Sequence, residues 1–228
     1  CPKCHTNKAS ILPARVIKQW NFKTAKVSDW AYDYLKENWN RPVLDVAGLL
    51  AAASTNERTR SLVNVLPLPI PLSLPRLPLT GKKSAPVSVI IHLSSQRERL
   101  VSVAEFIRSC RNGQRLLANL TDRLHLLWSS TLWSMQDLVD ARNGKLEPIL
   151  DRSLAVYSSH VRSCDTCSGK GFVCEICTSK DVIYPFDTKT ASCPNCKALF
   201  HESCWKSNPG KCPKCVRVKS IRKRENPM

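Results

Sequence analysis

Apolar residues return every three or four positions through much of this chain, then give way to a cysteine-punctuated stretch without that period. In VSDWAYDYLKENWNRP, Ser28 reads as a helix cap with Asp29 in the first turn. Trp30, Tyr34 and Asn38 fall on one face of that helix, and Pro42 marks its stop. The preceding ILPARVIKQWNF is apolar and basic, with Trp20 and Phe22 two apart, and reads as extended. A weaker helical pattern follows through VAGLLAAASTNERTRSLV. From Arg97, RERLVSVAEFIRSC places Leu100, Val103, Phe106, Ile107 and Cys110 on one face, and GQRLLANLTDRLHLLW repeats the pattern from Leu116 to Leu127. Cys110 stands without a partner motif and reads as a buried apolar thiol; His125 reads as a satisfied histidine. SMQDLVDARNGKLEPILDRSLAVYSSHV predicts two more helices, separated at Asn143-Gly144.

Residues 65–86 break the pattern. Prolines 67, 69, 71, 75, 78 and 86 forbid a helix interior or a central strand. The segment reads as an extended linker or as an intrusion into the coding sequence. The fold class expected is mainly α: a helical body over residues 1–159, a cysteine-rich module with short strands over 160–217, and a basic tail over 218–228. Residues 61–96 are set apart within the body as aberrant.

Charge narrows the partners. The chain of 228 residues carries 35 Lys and Arg against 18 Asp and Glu, a formal net charge of +17. That balance favours acidic partners: a GTPase surface, an anionic membrane facing the basic tail, or nucleic acid. The basic residues are scattered rather than interleaved with aromatics in a stripe, so no specific nucleic-acid contact is expected. No apolar run reaches membrane-spanning length. The chain opens at Cys1 without a methionine or secretory signal and reads as part of a longer polypeptide.

The chemistry is concentrated at the end. Five two-ligand knuckles, Cys164/Cys167, Cys174/Cys177, Cys193/Cys196, His201/Cys204 and Cys212/Cys215, occupy about fifty residues. Two thiolates at this spacing converge on one cation, and two such turns complete a tetrahedral site. A disulfide framework fits less well, because the cysteines pair by knuckle and a histidine takes a ligand slot. From Cys174 the order is four cysteines, one histidine and three cysteines, as in interleaved fingers. One metal is assigned to Cys174, Cys177, His201 and Cys204, a second to Cys193, Cys196, Cys212 and Cys215; sequential sites remain the alternative. Cys164 and Cys167 are left over. His160 is a candidate third ligand for them, or else a last-turn helix histidine favoured by the macrodipole. Cys1 and Cys4 form half a site, whose partners are Cys164 and Cys167 or residues from elsewhere. The cofactor expected is Zn2+, two to three per chain.

Each four-ligand site of the eight-ligand module is saturated, whereas catalytic zinc keeps an open position beside a general base. Serine-hydrolase, Walker and Rossmann patterns are absent, so no enzyme is expected. His201 opens the third pair, unlike the histidine of a RING finger. Gly210 stands where a PHD finger carries an aromatic, and CPNCKALF lacks the basic-histidine cluster of a FYVE finger. A divergent ubiquitin ligase is the competing reading on the cross-braced pattern, and a chromatin or nucleic-acid module is the competing reading on charge alone.

With CHTNKASILPARVIKQWNF, VSDWAYDYL, RPVLDV, LWSMQDLVDARNGKLEPIL and the run from HVRSCDTC through KGFVCEIC to CPKC in order, the chain resembles the Rubicon-homology domain family. The resemblance spans residues 1–46 and about 97–216. It implies a non-enzymatic adaptor that binds a late-endosomal Rab GTPase in its GTP form. The implied setting is cytoplasmic, at late endosomes, lysosomes and autophagosomes. It also implies upstream cysteines completing the Cys1/Cys4 site, and a helical segment where residues 61–96 stand.

Overall fold

The computed structural model describes residues 8–46 and 87–225. Cys1, Cys4, the weak helical pattern after residue 46 and the proline-rich segment lie outside the described residues. Two compact units divide the chain, one within Cys1–Arg97 and Arg123–Asp151, the other within Glu98–Asp122 and Arg152–Met228. This division falls elsewhere than the 159/160 boundary expected from composition.

In the first unit, β1 (Ala9–Ile11) pairs antiparallel with β2 (Thr24–Lys26), and helix α1 (Pro13–Gln19) fills the connection. An extended reading of this stretch is therefore corrected. Pro13 stands at the start of the helix, where its fixed φ suits the first turn and its missing N–H costs nothing. Trp20 ends the helix in the left-handed region at φ 50°, its N–H bonded to the Val16 carbonyl while the next N–H, of Asn21, reaches the Arg15 carbonyl. Helix α2 (Asp29–Glu37) starts at Ser28, whose hydroxyl accepts the Ala31 N–H at 3.3 Å. Its Trp30 and Tyr34 stack with ring centroids 5.5 Å apart and are exposed.

β3 (Leu44–Asp45) pairs antiparallel with β4 (Leu132–Trp133). Helix α3 (Val87–Ile107) begins ten residues before Arg97. Residues 87–96 therefore do not belong with an aberrant segment: Ile90 and Leu93 are buried in the helix. No proline follows Pro86 in this stretch, and the apolar positions Ile90 and Leu93 resume seven residues on at Leu100, across the polar SSQRER. After α3 the expected long helix divides into α4 (Arg111–Leu117) and a 3-10 stretch over Ala118–Leu127. Asn119, Thr121 and Asp122 are residue types that favour local alternatives to the α-helix.

Helix α5 (Met135–Arg142) opens on a capping box, in which Ser134 and Asp137 each accept the other's backbone N–H. Around it lies a buried charge network. Arg97, fully buried, lies over the Trp133 ring at 4.8 Å and donates to the Ser129 and Leu132 carbonyls. Asp137 meets His125 at 2.6 Å, and Arg123 pairs with Asp140. His125 is thus a satisfied histidine. Helix α6 (Leu146–Ser163) follows Gly144, whose φ of +68° makes the turn between the helices.

The second unit contains the end of α3, α4, the end of α6, the short helix α7 (Asp165–Ser168) and the cysteine-rich region. Two antiparallel hairpins, β5 (Phe172–Val173) with β6 (Val182–Ile183) and β7 (Thr190–Ser192) with β8 (Leu199–His201), hold the Cys174/Cys177 and Cys193/Cys196 knuckles between their strands. Helices α8 (Glu202–Ser207) and α9 (Pro213–Glu225) complete it. Phe106 packs edge-on against Tyr184 and Phe186, while Arg99 donates to the Phe186 carbonyl at 2.9 Å. The Tyr-Pro-Phe segment between the knuckles is thereby built into a core with α3. Predominant helix with a cysteine-rich region of short strands is the architecture observed.

Candidate metal centres

Three groups of four side chains gather in the second unit, each with its donor atoms within 4.8 Å of one another. The first comprises Cys110, His160, Cys164 and Cys167; the second Cys174, Cys177, His201 and Cys204; the third Cys193, Cys196, Cys212 and Cys215. The second and third are the two interleaved sets assigned from spacing. The first joins His160, Cys164 and Cys167 to Cys110, a thiol read from sequence as merely apolar. Cys110 is buried, as that reading has it, and its sulfur also lies 3.8 Å from that of Cys164.

Interatomic spacing tests the fit to a metal. Zinc bound tetrahedrally by thiolates at about 2.3 Å sets sulfurs about 3.8 Å apart, and a sulfur and imidazole nitrogen about 3.6 Å apart. In the third group Cys193 and Cys215 are 3.7 Å apart, and Cys196 and Cys212 are 3.4 Å apart. In the second, His201 Nδ1 lies 3.4 Å from Cys177 Sγ and 3.8 Å from Cys204 Sγ. In the first, His160 Nε2 lies 3.5 Å from Cys167 Sγ. Sulfurs in a disulfide sit about 2.05 Å apart, and all ten described cysteines are free thiols. The donor sets and their spacing fit tetrahedral zinc.

Local backbone sets up each group. Cys193, Cys174 and Cys110 each accept backbone N–H bonds at sulfur. For Cys193 the donors are Cys196 and then Asn195, and they hold the thiol down to about 6. Burial pushes Cys174 up, but N–H groups of His201, Ile176 and Cys177 outweigh it and leave the thiol at about 6. The Gly113 N–H does the most for Cys110, also brought to about 6. Each group thus has one sulfur prepared as thiolate. Cys167, Cys204, Cys212 and Cys215 are pushed the other way. Cys215 is raised to about 12 chiefly by sharing a hydrogen bond with Cys196, and Cys167 reaches about 12 through burial and then its neighbours Cys110 and Cys164. A divalent cation reverses that mutual repulsion and lets all the thiols ionise.

The elements explain why these residues meet. His160 and Cys164 are four apart at the end of α6, and Cys164 then caps α7, which carries Cys167. Cys110 caps α4 in an extended conformation, and Gly113 closes the same turn. A Cβ at Gly113 would stand 2.6 Å from the Ile107 carbonyl oxygen, so only glycine allows this turn. Leu199 and Phe200 are buried among Cys174, Cys193 and Cys212, and Trp205 stacks on Phe200 at 5.3 Å. Arg217 of α9 makes a bidentate pair with Glu175 at 2.8 and 2.9 Å, tying the Cys174 knuckle to the helix that follows Cys215.

The lone signal that could have exposed Cys110 is CRNG itself, a cysteine three residues before a glycine after a helix. Among the tryptophans, Trp133 is buried, Trp39 donates its Nε1–H to Gln136 at 2.8 Å, Trp20 is half-buried and Trp128 is exposed.

The Rubicon Homology Domain family matches residues 1–68 and 80–220. Similar proteins include the protein associated with UVRAG as autophagy enhancer from Mus musculus, 30% identical over 96% of this chain and 29% of that protein. Pleckstrin homology domain-containing family M member 3 is 30% identical in Homo sapiens and 32% in Xenopus laevis, in both over 99% of this chain and 26% of the relative. The chain thus spans less than a third of the length of these curated relatives.

Proposed function

The chain belongs to the Rubicon homology domain family, and on that premise we propose that it is a non-enzymatic adaptor module folded around three structural zinc ions. The observation that carries the reading is the set of three four-donor groups at tetrahedral spacing. Four protein donors saturate a tetrahedral zinc and leave no position for an activated water. Such a site braces a fold; it does not run a hydrolytic reaction.

The partner proposed is a Rab-type GTPase of late endosomes, bound in its GTP form, with action in endosome–lysosome traffic and autophagy. Family membership and the name of one relative, an autophagy enhancer, support it. The physical logic is that a rigid surface selects a switch region ordered by the γ-phosphate.

A pull-down against a panel of Rab GTPases in GTP and GDP states tests this. His201→Ala leaves the second centre three thiolates and an open position, so metal affinity and GTPase binding should both fall. Charge reversal of Arg222, Lys223 and Arg224 should leave GTPase binding nearly intact. Equal capture of GDP and GTP forms overturns the effector reading. Loss of binding in the tail variant with full binding by His201→Ala would mean that charge, rather than the zinc-braced surface, holds the partner.

A further inference from the structure

Helix α9 leaves the third centre as a basic rod with apolar residues on its exterior. Its thirteen residues, PKCVRVKSIRKRE, contain six Lys and Arg and one Glu. Every residue from Val216 to Ile221 is exposed, among them Val216, Val218 and Ile221. Three exposed β-branched apolar residues in six positions have no folding role on this face, and burial elsewhere would have been favourable. The helix is nonetheless fixed at its base. Cys212 and Cys215 belong to the third centre, and the bidentate Arg217–Glu175 pair holds the next turn.

We infer that α9 is a membrane-facing helix that engages anionic lipid headgroups, with Val218 and Ile221 entering the headgroup boundary. Val218 and Ile221 are three apart and share a face, and Lys214, four residues before Val218, lies on it too. Cations beside shallow apolar side chains match a negatively charged bilayer surface, where each Lys or Arg near the surface adds to binding. Nucleic acid fits less well: α9 offers no aromatic for stacking and no Asn or Gln for base edges, and exposed valine and isoleucine add nothing to a phosphate contact. Among the described residues no helix is long and apolar enough to cross a membrane, so the contact is peripheral. The inference goes beyond the adaptor reading and does not depend on the identity of the GTPase.

The test is flotation of the zinc-loaded full chain with vesicles of phosphatidylcholine alone and of phosphatidylcholine with phosphatidylserine, across a salt series and without any GTPase. The chain should float with the phosphatidylserine vesicles, remain behind with the neutral ones, and lose binding as salt rises. Charge reversal of Arg222, Lys223 and Arg224 should weaken vesicle binding by about tenfold or more. Val218→Ser with Ile221→Ser, at unchanged zinc content, should weaken it several-fold while leaving any binding to duplex DNA as it was. Equal flotation with neutral vesicles overturns the inference. So does full vesicle binding by the serine double variant, or duplex DNA that competes the chain off vesicles at near-physiological salt. Because the unmodified chain alone gives the lipid and salt arms, the test stays decisive even where a variant fails to fold.

Discussion

Gly113 decides whether Cys110 reaches the first centre. Its N–H donates to the Cys110 sulfur, and its missing Cβ leaves the Ile107 carbonyl oxygen room that any side chain would take, at 2.6 Å. Gly113→Ala should therefore force the turn open and lower the zinc content of the purified chain from about three per molecule toward two, by the four-donor arithmetic of tetrahedral sites. Cys110→Ala makes the same point more directly. As a ligand it removes one zinc; as a buried apolar thiol it would leave stoichiometry at three, and elemental analysis tells the two apart. The knuckles were legible in the sequence because a two-residue gap is a local constraint. Cys110 was not, because it lies 50 residues before His160 and only the packing of α3, α4 and α6 brings it near. Its spacing carries no signature, and its place on the apolar face of the helical pattern pointed only to packing.

At the scale of elements, the start of α5 concentrates the first unit's polar energetics. Asp137 is fully buried, accepts the Ser134 N–H in the capping box and faces His125 and Arg123. Removing it by Asp137→Ala strips one half of the capping box and leaves Arg123 without this carboxylate, a loss of about 3–5 kcal/mol in chemical denaturation. Asp137→Asn keeps an acceptor for the cap and should cost less. The comparison also has a pH signature. Burial pushes the Asp137 carboxyl up, but the hydrogen bonds from His125 and the Ser134 N–H outweigh it and hold it below its ordinary 3.8. A carboxyl depressed in the folded state contributes stability above its unfolded value, and loses it as pH falls through the folded one. The advantage of the native residue over Asp137→Asn should therefore be full near pH 7 and shrink below about pH 4. Denaturant midpoints across that range check it. This helix and α6 were legible because capping residues and Asn143-Gly144 are local signals. Helix α1 was missed although Pro13 marked its first position, since seven residues are too few to show a period. The 3-10 stretch after α4 kept its leucines at helical spacing and so concealed its different winding.

The whole molecule divides where composition does not. Spacing and charge placed the boundary at the first knuckle, because ligand density changes there. The compact units instead cut through α3 and α6, assigning Glu98–Asp122 to the same unit as the cysteine-rich region. The reason is packing: Phe106 lies against Tyr184 and Phe186, Arg99 caps the Phe186 carbonyl, and Lys170 reaches Ser109. Cys110 brings a donor atom from that same stretch into the first group. Two outcomes of metal removal follow from the two boundaries, and amide hydrogen exchange after chelation separates them. Were the boundary at 159/160, chelation would deprotect residues 160–216 and leave Leu100, Val103 and Ile107 as protected as Leu138. With the units as folded, those three amides should lose protection together with Phe200, while Ile90, Leu93 and Leu138 hold longer. Cys110→Ala in intact metal-loaded protein should reproduce part of the loss at Val103 and Ile107 without touching Phe200. That pattern would assign the end of α3 to the first centre alone. Undiminished protection at Ile107 in both experiments would mean that apolar packing holds this helix by itself, and that the first centre braces α7 only.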